Sequence, residues 1–227
     1  MSVFRIWVNL LSLVLILANH QALSAKTLLA EQRILVFGDS LSAAYNIPTE
    51  KGWVSLLEQQ LKSENIKAKV INASISGETS SGGLTRFQSQ IDKTQPDIVL
   101  LELGANDGLR GFNLETTRSN LTTMIKMSHQ IGASVILAGI HMPPNYGRTY
   151  TQKFDQIFID LAKMENVSLI PFILEGVATV PDLMQNDRLH PNEQGQKVIL
   201  ATVVKHLVPL LEQLLTDTIE PKIGDSE

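Results

Sequence analysis

The sequence predicts an α/β fold in which a mostly parallel sheet is covered by helices on both faces. Three observations predict it. Hydrophobic residues make up 44% of the 227 and charged residues 19%, which is enough apolar material for a packed core and too little charge for disorder. Five short apolar runs rich in β-branched residues alternate with longer stretches of helical period. Four of those stretches lie between successive runs, where parallel strands need a crossover connection.

The first strand is expected at 33–37, where Ile34, Leu35, Val36 and Phe37 follow one another without a polar break. A helix is expected over 53–64, with Trp53, Val54, Leu57 and Leu61 at helical spacing. The second strand, 68–72, places Val70 and Ile71 ahead of Asn72, and the next helix, 84–92, repeats Leu84, Phe87 and Ile91. The third strand, 98–103, leads to a helix at 114–130 carrying Leu121, Met124 and Ile125. The fourth strand, 134–140, precedes a helix at 150–165 with Phe154, Ile157, Phe158 and Leu161 on one stripe. A short fifth strand at 167–170 and a last helix at 193–215 complete the order. No repeat, linker or low-complexity run interrupts it.

Residues 1–25 are a different kind of sequence. Arg5 is their only charge, an apolar stretch runs from Leu10 to Ala18 with only Ser12 inside it, and Ala22, Ser24 and Ala25 supply small residues. This is the pattern of a secretory signal peptide, cut after Ser24 or Ala25. The apolar stretch is far short of the roughly 20 residues needed to span a bilayer, so no stable membrane insertion is expected after cleavage. A periplasmic or secreted protein is the expectation. Domain organisation then reads as a signal peptide at 1–25, one catalytic-sized domain at 26–216 and a loose polar tail at 217–227 with Pro221 and Gly224.

Charge and composition exclude other classes. The net charge is −4 and no basic run is present, so nucleic acid is not an expected partner. The chain has no cysteine, which removes disulfide scaffolds and cysteine-based zinc sites. A monomer acting on a small molecule satisfies everything the sequence shows.

In a parallel α/β sheet, ligands bind outside the carboxyl ends of the strands. The polar residues at those ends are Gly38-Asp39-Ser40-Leu41-Ser42, then Asn72-Ala73-Ser74-Ile75-Ser76-Gly77, then Gly104-Ala105-Asn106-Asp107, then 141–148, and finally Asp187-Arg188-Leu189-His190-Pro191-Asn192. Singly, each reads as ordinary turn and cap chemistry. Together they hold the parts for acyl transfer. Ser40 is a hydroxyl at a strand end, His190 can act as base, and Asp187 can reach the His190 Nδ1 to set its tautomer. Pro191 restricts His190 to an extended backbone and suits the first turn of the following helix. Gly77 leaves its N–H unobstructed and Asn106 offers a neutral amide, so both can serve a developing oxyanion beside the Ser40 N–H. Asp39 and Asp107 read as braces for their turns. His129 and His206 read as surface or packing residues. His141 stands at a strand end without an acid near it in sequence.

These blocks resemble the SGNH, or GDSL, serine hydrolases: Gly38-Asp39-Ser40-Leu41, Gly77, Gly104-x-Asn106-Asp107 and Asp187-x-x-His190 occur in the family's order. Asn-Ala-Ser-Ile-Ser-Gly, Gly-Ala-Asn-Asp-Gly-Leu-Arg-Gly and Pro-Asn-Tyr-Gly-Arg are similar to the secreted bacterial branch with acyl-CoA thioesterase, lysophospholipase and arylesterase activities. The resemblance implies a flavodoxin-like three-layer α/β/α sandwich with strand order 2-1-3-4-5, no metal and no organic cofactor. It implies Ser40 as nucleophile, His190 as base, Asp187 as its partner, and Ser40, Gly77 and Asn106 as oxyanion hole. It also implies an acyl-binding surface at Ile75, Leu109, Met142 and Tyr146. Ser74 stands where many members have glycine, and position 42 is serine, so the chain lacks the Gly-x-Ser-x-Gly elbow of ordinary α/β-hydrolases. Two other readings are a carbohydrate O-acetyl esterase of the same family and a non-catalytic flavodoxin-like binding module. The second leaves Asp187 and His190 unexplained.

Overall fold

The computed structural model describes residues 31–219, so the signal segment at 1–25 and the end of the polar tail lie outside the described residues. Five strands form one sheet in the order β2-β1-β3-β4-β5, and all four pairings are parallel. The strands are β1 (Gln32–Gly38), β2 (Ala68–Asn72), β3 (Ile98–Glu102), β4 (Ser134–Ala138) and β5 (Ser168–Ile170). The helices are α1 (Trp53–Ser63), α2 (Ser80–Thr94), α3 (Ala105–Leu109), α4 (Leu114–Gln130), α5 (Arg148–Met164) and α6 (Glu193–Ile219). Contacts gather Gln32–Leu207 into one compact unit, and Val208 onward falls outside it.

Burial follows from the position of each strand. Every residue of β3, in the middle of the sheet, is buried, whereas β2 at the edge keeps Lys69 and Asn72 exposed. Right-handed crossovers then sort the helices. The path from β1 to β2 runs one way along the sheet and later paths run the other way, so α1 lies on one face and α2, α4 and α5 pack side by side on the opposite one. The start of α6 joins α1, where Gln196, buried, accepts a hydrogen bond from the Trp53 N–H at 2.9 Å. The reversal leaves a crevice where the connections from β1 part, at the carboxyl ends of β1 and β3. Ser40 and Asn106 stand there.

Several boundaries differ from the sequence reading. Helix α2 begins at Ser80, not at 84, because Thr79 caps it by accepting the Gly82 N–H at 3.1 Å. A Cβ at Gly83 would stand 2.5 Å from Leu103 Cδ1. Close packing on the sheet, not a turn, calls for that residue. Helix α3 has only five residues and no apolar period that the sequence shows. Helix α6 runs on to Ile219 with Pro209 inside it, so residues 217–219 are helical where a loose tail was expected. Pro191 precedes the helix instead of entering its first turn. Asn192 is the cap, its Oδ1 accepting the N–H of Gln194 at 2.9 Å and of Gly195 at 3.1 Å.

Candidate active site

Strand β1 delivers Ser40 to the crevice through a tight turn. The Asp39 carboxylate accepts the Leu41 N–H at 3.1 Å, and the Asp39 carbonyl accepts the Ala43 N–H at 2.9 Å. The Ser40 Oγ stands 2.9 Å from His190 Nε2, and His190 Nδ1 stands 2.7 Å from Asp187 Oδ2. Ser40 and His190 are 150 positions apart in sequence, so only the fold brings them together.

The loop before α6 is built to present that imidazole. Asp187 Oδ1 accepts the N–H groups of Leu189 at 2.9 Å and His190 at 3.0 Å, which curls the chain back on its own carboxylate. Arg188 takes φ 56°, the left-handed region, to make the turn. Gln185 closes the loop: its N–H donates to the His190 carbonyl at 2.8 Å, and its side chain donates to the carbonyls of Tyr45 and Pro191. The Tyr45 ring lies 4.4 Å from the imidazole and supports its outer face. Burial pushes the Asp187 carboxyl up, but the two backbone donors and His190 outweigh it and hold it below the ordinary carboxylate range.

The three donors expected for an oxyanion are Ser40, Gly77 and Asn106, and of these Ser40 and Asn106 line one cavity. Among the described residues, neither the Ser40 N–H nor the Gly77 N–H donates to a backbone carbonyl. Gly77 has φ 79°, where any other L-residue is strained, and Arg110 Nη2 holds its carbonyl at 3.1 Å. Ser74, two positions into this loop, is absorbed without a left-handed backbone, its N–H donating to Asn72 Oδ1 at 3.0 Å. The Asn106 amide, at the start of α3, donates one of its hydrogens to Asp39 Oδ2 at 3.0 Å. A hydroxyl hydrogen-bonded to a carboxylate-fixed imidazole is an arrangement that can carry out acyl transfer.

Next to this cluster lies a cavity of about 500 Å³. Its walls carry Ser40, Asn106 and His190 together with Leu109, Met142, Phe172, Leu174 and Met184. Of the four residues expected to meet an acyl chain, Leu109 and Met142 line it. Ile75 and Tyr146 are not among the residues that line it. Ile75 is anchored by its own N–H to the Gly38 carbonyl at 3.0 Å and leaves its side chain half exposed. Tyr146 spends its hydroxyl on the Leu109 carbonyl at 2.9 Å and stacks on Tyr150.

Other residues fall where sequence reasoning placed them, or gain partners it missed. Asp107, buried, accepts from the Ser80 N–H at 2.8 Å, the Ser80 Oγ at 2.6 Å and the Thr117 Oγ1 at 3.3 Å, bracing α2 against α3 and α4. His129 is exposed. His206 is held below the ordinary imidazole range by burial and by Lys205. His141 lines the cavity, stacks on Phe172 at 4.3 Å, and has Asp155 of α5 3.0 Å from its Nδ1. Glu102, buried and bonded to the Asp39 N–H and the Ser42 Oγ, escaped the sequence reading because it ends an apolar strand and matches no catalytic block. Among the described residues, no group of three His, Asp or Glu side chains is close enough to hold a metal, and no helix is long and apolar enough to cross a membrane.

The profile of the GDSL-like lipase/acylhydrolase family matches residues 36–198, from β1 into α6. The chain belongs to this family. It is 46% identical over 201 residues to an arylesterase of Vibrio mimicus, covering 88% of this chain and 98% of that one. It is 41% identical over 210 residues to thioesterase 1/protease 1/lysophospholipase L1 of Escherichia coli, covering 92% of this chain and 96% of that one. Among solved structures, the psychrotrophic esterase EstA from Pseudoalteromonas sp., inhibited by monoethylphosphonate, is 42% identical with a TM-score of 0.77, over 80% of this chain and 99% of that one. As a GDSL-like acylhydrolase, the chain is an ester-bond hydrolase, with small-molecule esters as substrates.

Proposed function

We propose that this acylhydrolase works through an acyl-enzyme on Ser40, with His190 as general base and acid, Asp187 as its orienting partner, and the Ser40 and Gly77 N–H groups with the Asn106 amide as oxyanion hole. One observation carries the reading: the unbroken chain from Ser40 Oγ to His190 Nε2 at 2.9 Å and from His190 Nδ1 to Asp187 Oδ2 at 2.7 Å, at the wall of an apolar cavity. Ser40 Oγ attacks the ester carbonyl as its proton passes to His190 Nε2. The carbonyl oxygen becomes an oxyanion held by the three donors. Collapse breaks the bond to the leaving group, which takes the proton back from His190. Water then repeats the sequence on the acyl-enzyme, releasing the acid and restoring Ser40.

The substrates we assign are aryl esters, acyl thioesters and lysophospholipids. The three share an acyl carbonyl and differ in what leaves, and Leu109, Met142, Phe172 and Leu174 offer an acyl chain an apolar wall. A carbohydrate O-acetyl esterase would have no use for that wall. The pattern of residues 1–25 supports export to the periplasm or beyond, and the enzyme acts as a monomer without metal or organic cofactor. Labelling with a fluorophosphonate tests the mechanism. One adduct on Ser40, absent from Ser40→Ala, is expected, and Ser40→Ala should lose on the order of 10⁶ in kcat if the triad acts as a unit. An adduct elsewhere, or a variant keeping more than a tenth of wild-type turnover on a short-chain nitrophenyl ester, overturns it.

A further inference from the structure

Two buried acids bonded to the residues flanking Ser40 are not used by the triad. Asp39 is fully buried and Glu102, the last residue of β3, is 1% exposed. Among the described residues, no Lys or Arg forms an ion pair with either. Their bonds run directly into the catalytic turn. Glu102 Oε2 accepts the Asp39 N–H at 3.2 Å and the Ser42 Oγ at 2.8 Å. Asp39 Oδ1 accepts the Leu41 N–H at 3.1 Å, and Asp39 Oδ2 accepts the Asn106 amide at 3.0 Å. The residues on both sides of Ser40 are thereby clamped, and one hydrogen of the Asn106 amide is fixed by a carboxylate. Because the amide is planar, fixing one hydrogen aims the other.

We propose that Asp39 is the positioning residue of the oxyanion hole, its carboxylate aiming the Asn106 amide at the reacting carbonyl, with Glu102 as the proton-bearing partner that lets one negative charge exist there. This rests on the oxyanion role given to Asn106 above. Two adjacent buried acids without a cation cannot both ionise near neutral pH. Burial, then the Asp39 charge, pushes Glu102 well above the carboxylate range. Asp39 is pushed up to about 6, burial raising it more than the Leu41 N–H, the Asn106 amide and His190 lower it, with Asp107 adding to the rise. The charge of the pair therefore sits on Asp39, the member that holds Asn106. As pH falls through the Asp39 value the acceptor becomes a neutral acid, its hold on the amide weakens, and the hole loses its aim.

A double-mutant cycle with pH profiles tests this. Asn106→Ala alone is expected to lower kcat by about 10² to 10³ with KM nearly unchanged. Asp39→Asn, an isostere with no charge, should lower kcat by about 10- to 100-fold, part of what losing the donor costs, again with little change in KM. In the Asn106→Ala background, Asp39→Asn should change kcat by less than about threefold, because the group it acts through is gone. The acid limb of the wild-type kcat profile should require loss of two protons, and that of Asp39→Asn only one. If Asp39→Asn does not fold, Asn106→Ala carries the pH arm alone: its acid limb should also drop to one proton. An Asn106→Ala enzyme with wild-type kcat sinks the oxyanion reading and this inference with it. A damaged Asn106→Ala enzyme in which Asp39→Asn costs the same factor as in wild type, or an acid limb that keeps its two-proton slope, overturns the positioning role of Asp39 and leaves the oxyanion reading standing.

Discussion

Asp187→Asn separates the electronic task of Asp187 from its structural one, because its two oxygens have different partners. Oδ1 accepts two backbone N–H groups, from Leu189 at 2.9 Å and His190 at 3.0 Å, while Oδ2 faces His190 Nδ1 at 2.7 Å. An asparagine must keep its oxygen toward the two backbone donors, so its NH₂ takes the place of Oδ2. A donor then faces Nδ1, the ring proton moves to Nε2, and Nε2–H points at Ser40 Oγ, which it can no longer deprotonate. The expected loss is about 10⁴ in kcat, or about 5.5 kcal/mol of transition-state stabilisation. Stability should change little, since both loop bonds survive. Asp187→Ala removes those bonds as well and should unfold at a clearly lower temperature, with kcat no worse than in the asparagine variant. The pH dependence has a definite sign. The Asp187 carboxyl is held below its unfolded value, so its contribution to stability is full above the ordinary carboxylate range and is lost as pH falls through the depressed value. That acid-side loss should shrink in Asp187→Asn. The measurements are kcat on a short-chain nitrophenyl ester at pH 8 and thermal unfolding at pH 7 and below pH 4. An asparagine variant with more than a tenth of wild-type kcat would refute the tautomer argument.

Acyl-chain length should set specificity. At about 0.8 kcal/mol per buried methylene, kcat/KM should climb roughly fourfold per carbon until the cavity is full. The optimum should match between nitrophenyl esters and acyl thioesters, and Met142→Ala should move it to longer chains; acetyl as the best chain on both leaving groups would contradict this. Gly38→Ala would place a Cβ 2.5 Å from Glu102 Oε2 and 2.9 Å from the Glu102 carbonyl, and the carbonyl, being backbone, cannot swing aside. It should destabilise the fold by about 1–3 kcal/mol, seen as a lowered midpoint in urea, and an unchanged midpoint would mean the turn is softer than drawn. Asn192→Ala should cost about 1 kcal/mol by uncapping α6, checked by the same titration.

The order of elements was legible because burial on both faces of a parallel sheet writes continuous apolar runs, as in Ile34–Phe37 and β3. The candidate nucleophile and oxyanion donors were legible because each sits in a short polar block after a strand, where the fold class already directs attention, and Asp187 and His190 because of their spacing ahead of the last helix. Helix α3 was not, since five residues make too little of a period to detect. The start of α2 was hidden because its glycines serve packing, and glycine gives one signal in sequence for both uses.

Sequence by itself determined which residues of β1, β2 and β3 lie at the sheet's carboxyl edge, because strand and helix periods are local and those polar blocks follow directly on their strands. Tertiary structure alone decided which of those residues meet. Asn106 reaches Asp39 across 67 positions and Glu102 reaches the Asp39 N–H across 63, through the β1–β3 register that pairs Gly38 with Glu102. His141 finds Asp155 from α5, and the cavity admits Leu109 and Met142 while leaving Ile75 and Tyr146 outside. Such pairings depend on how loops from different strands converge after the sheet has twisted and the helices have packed, and no local period records that.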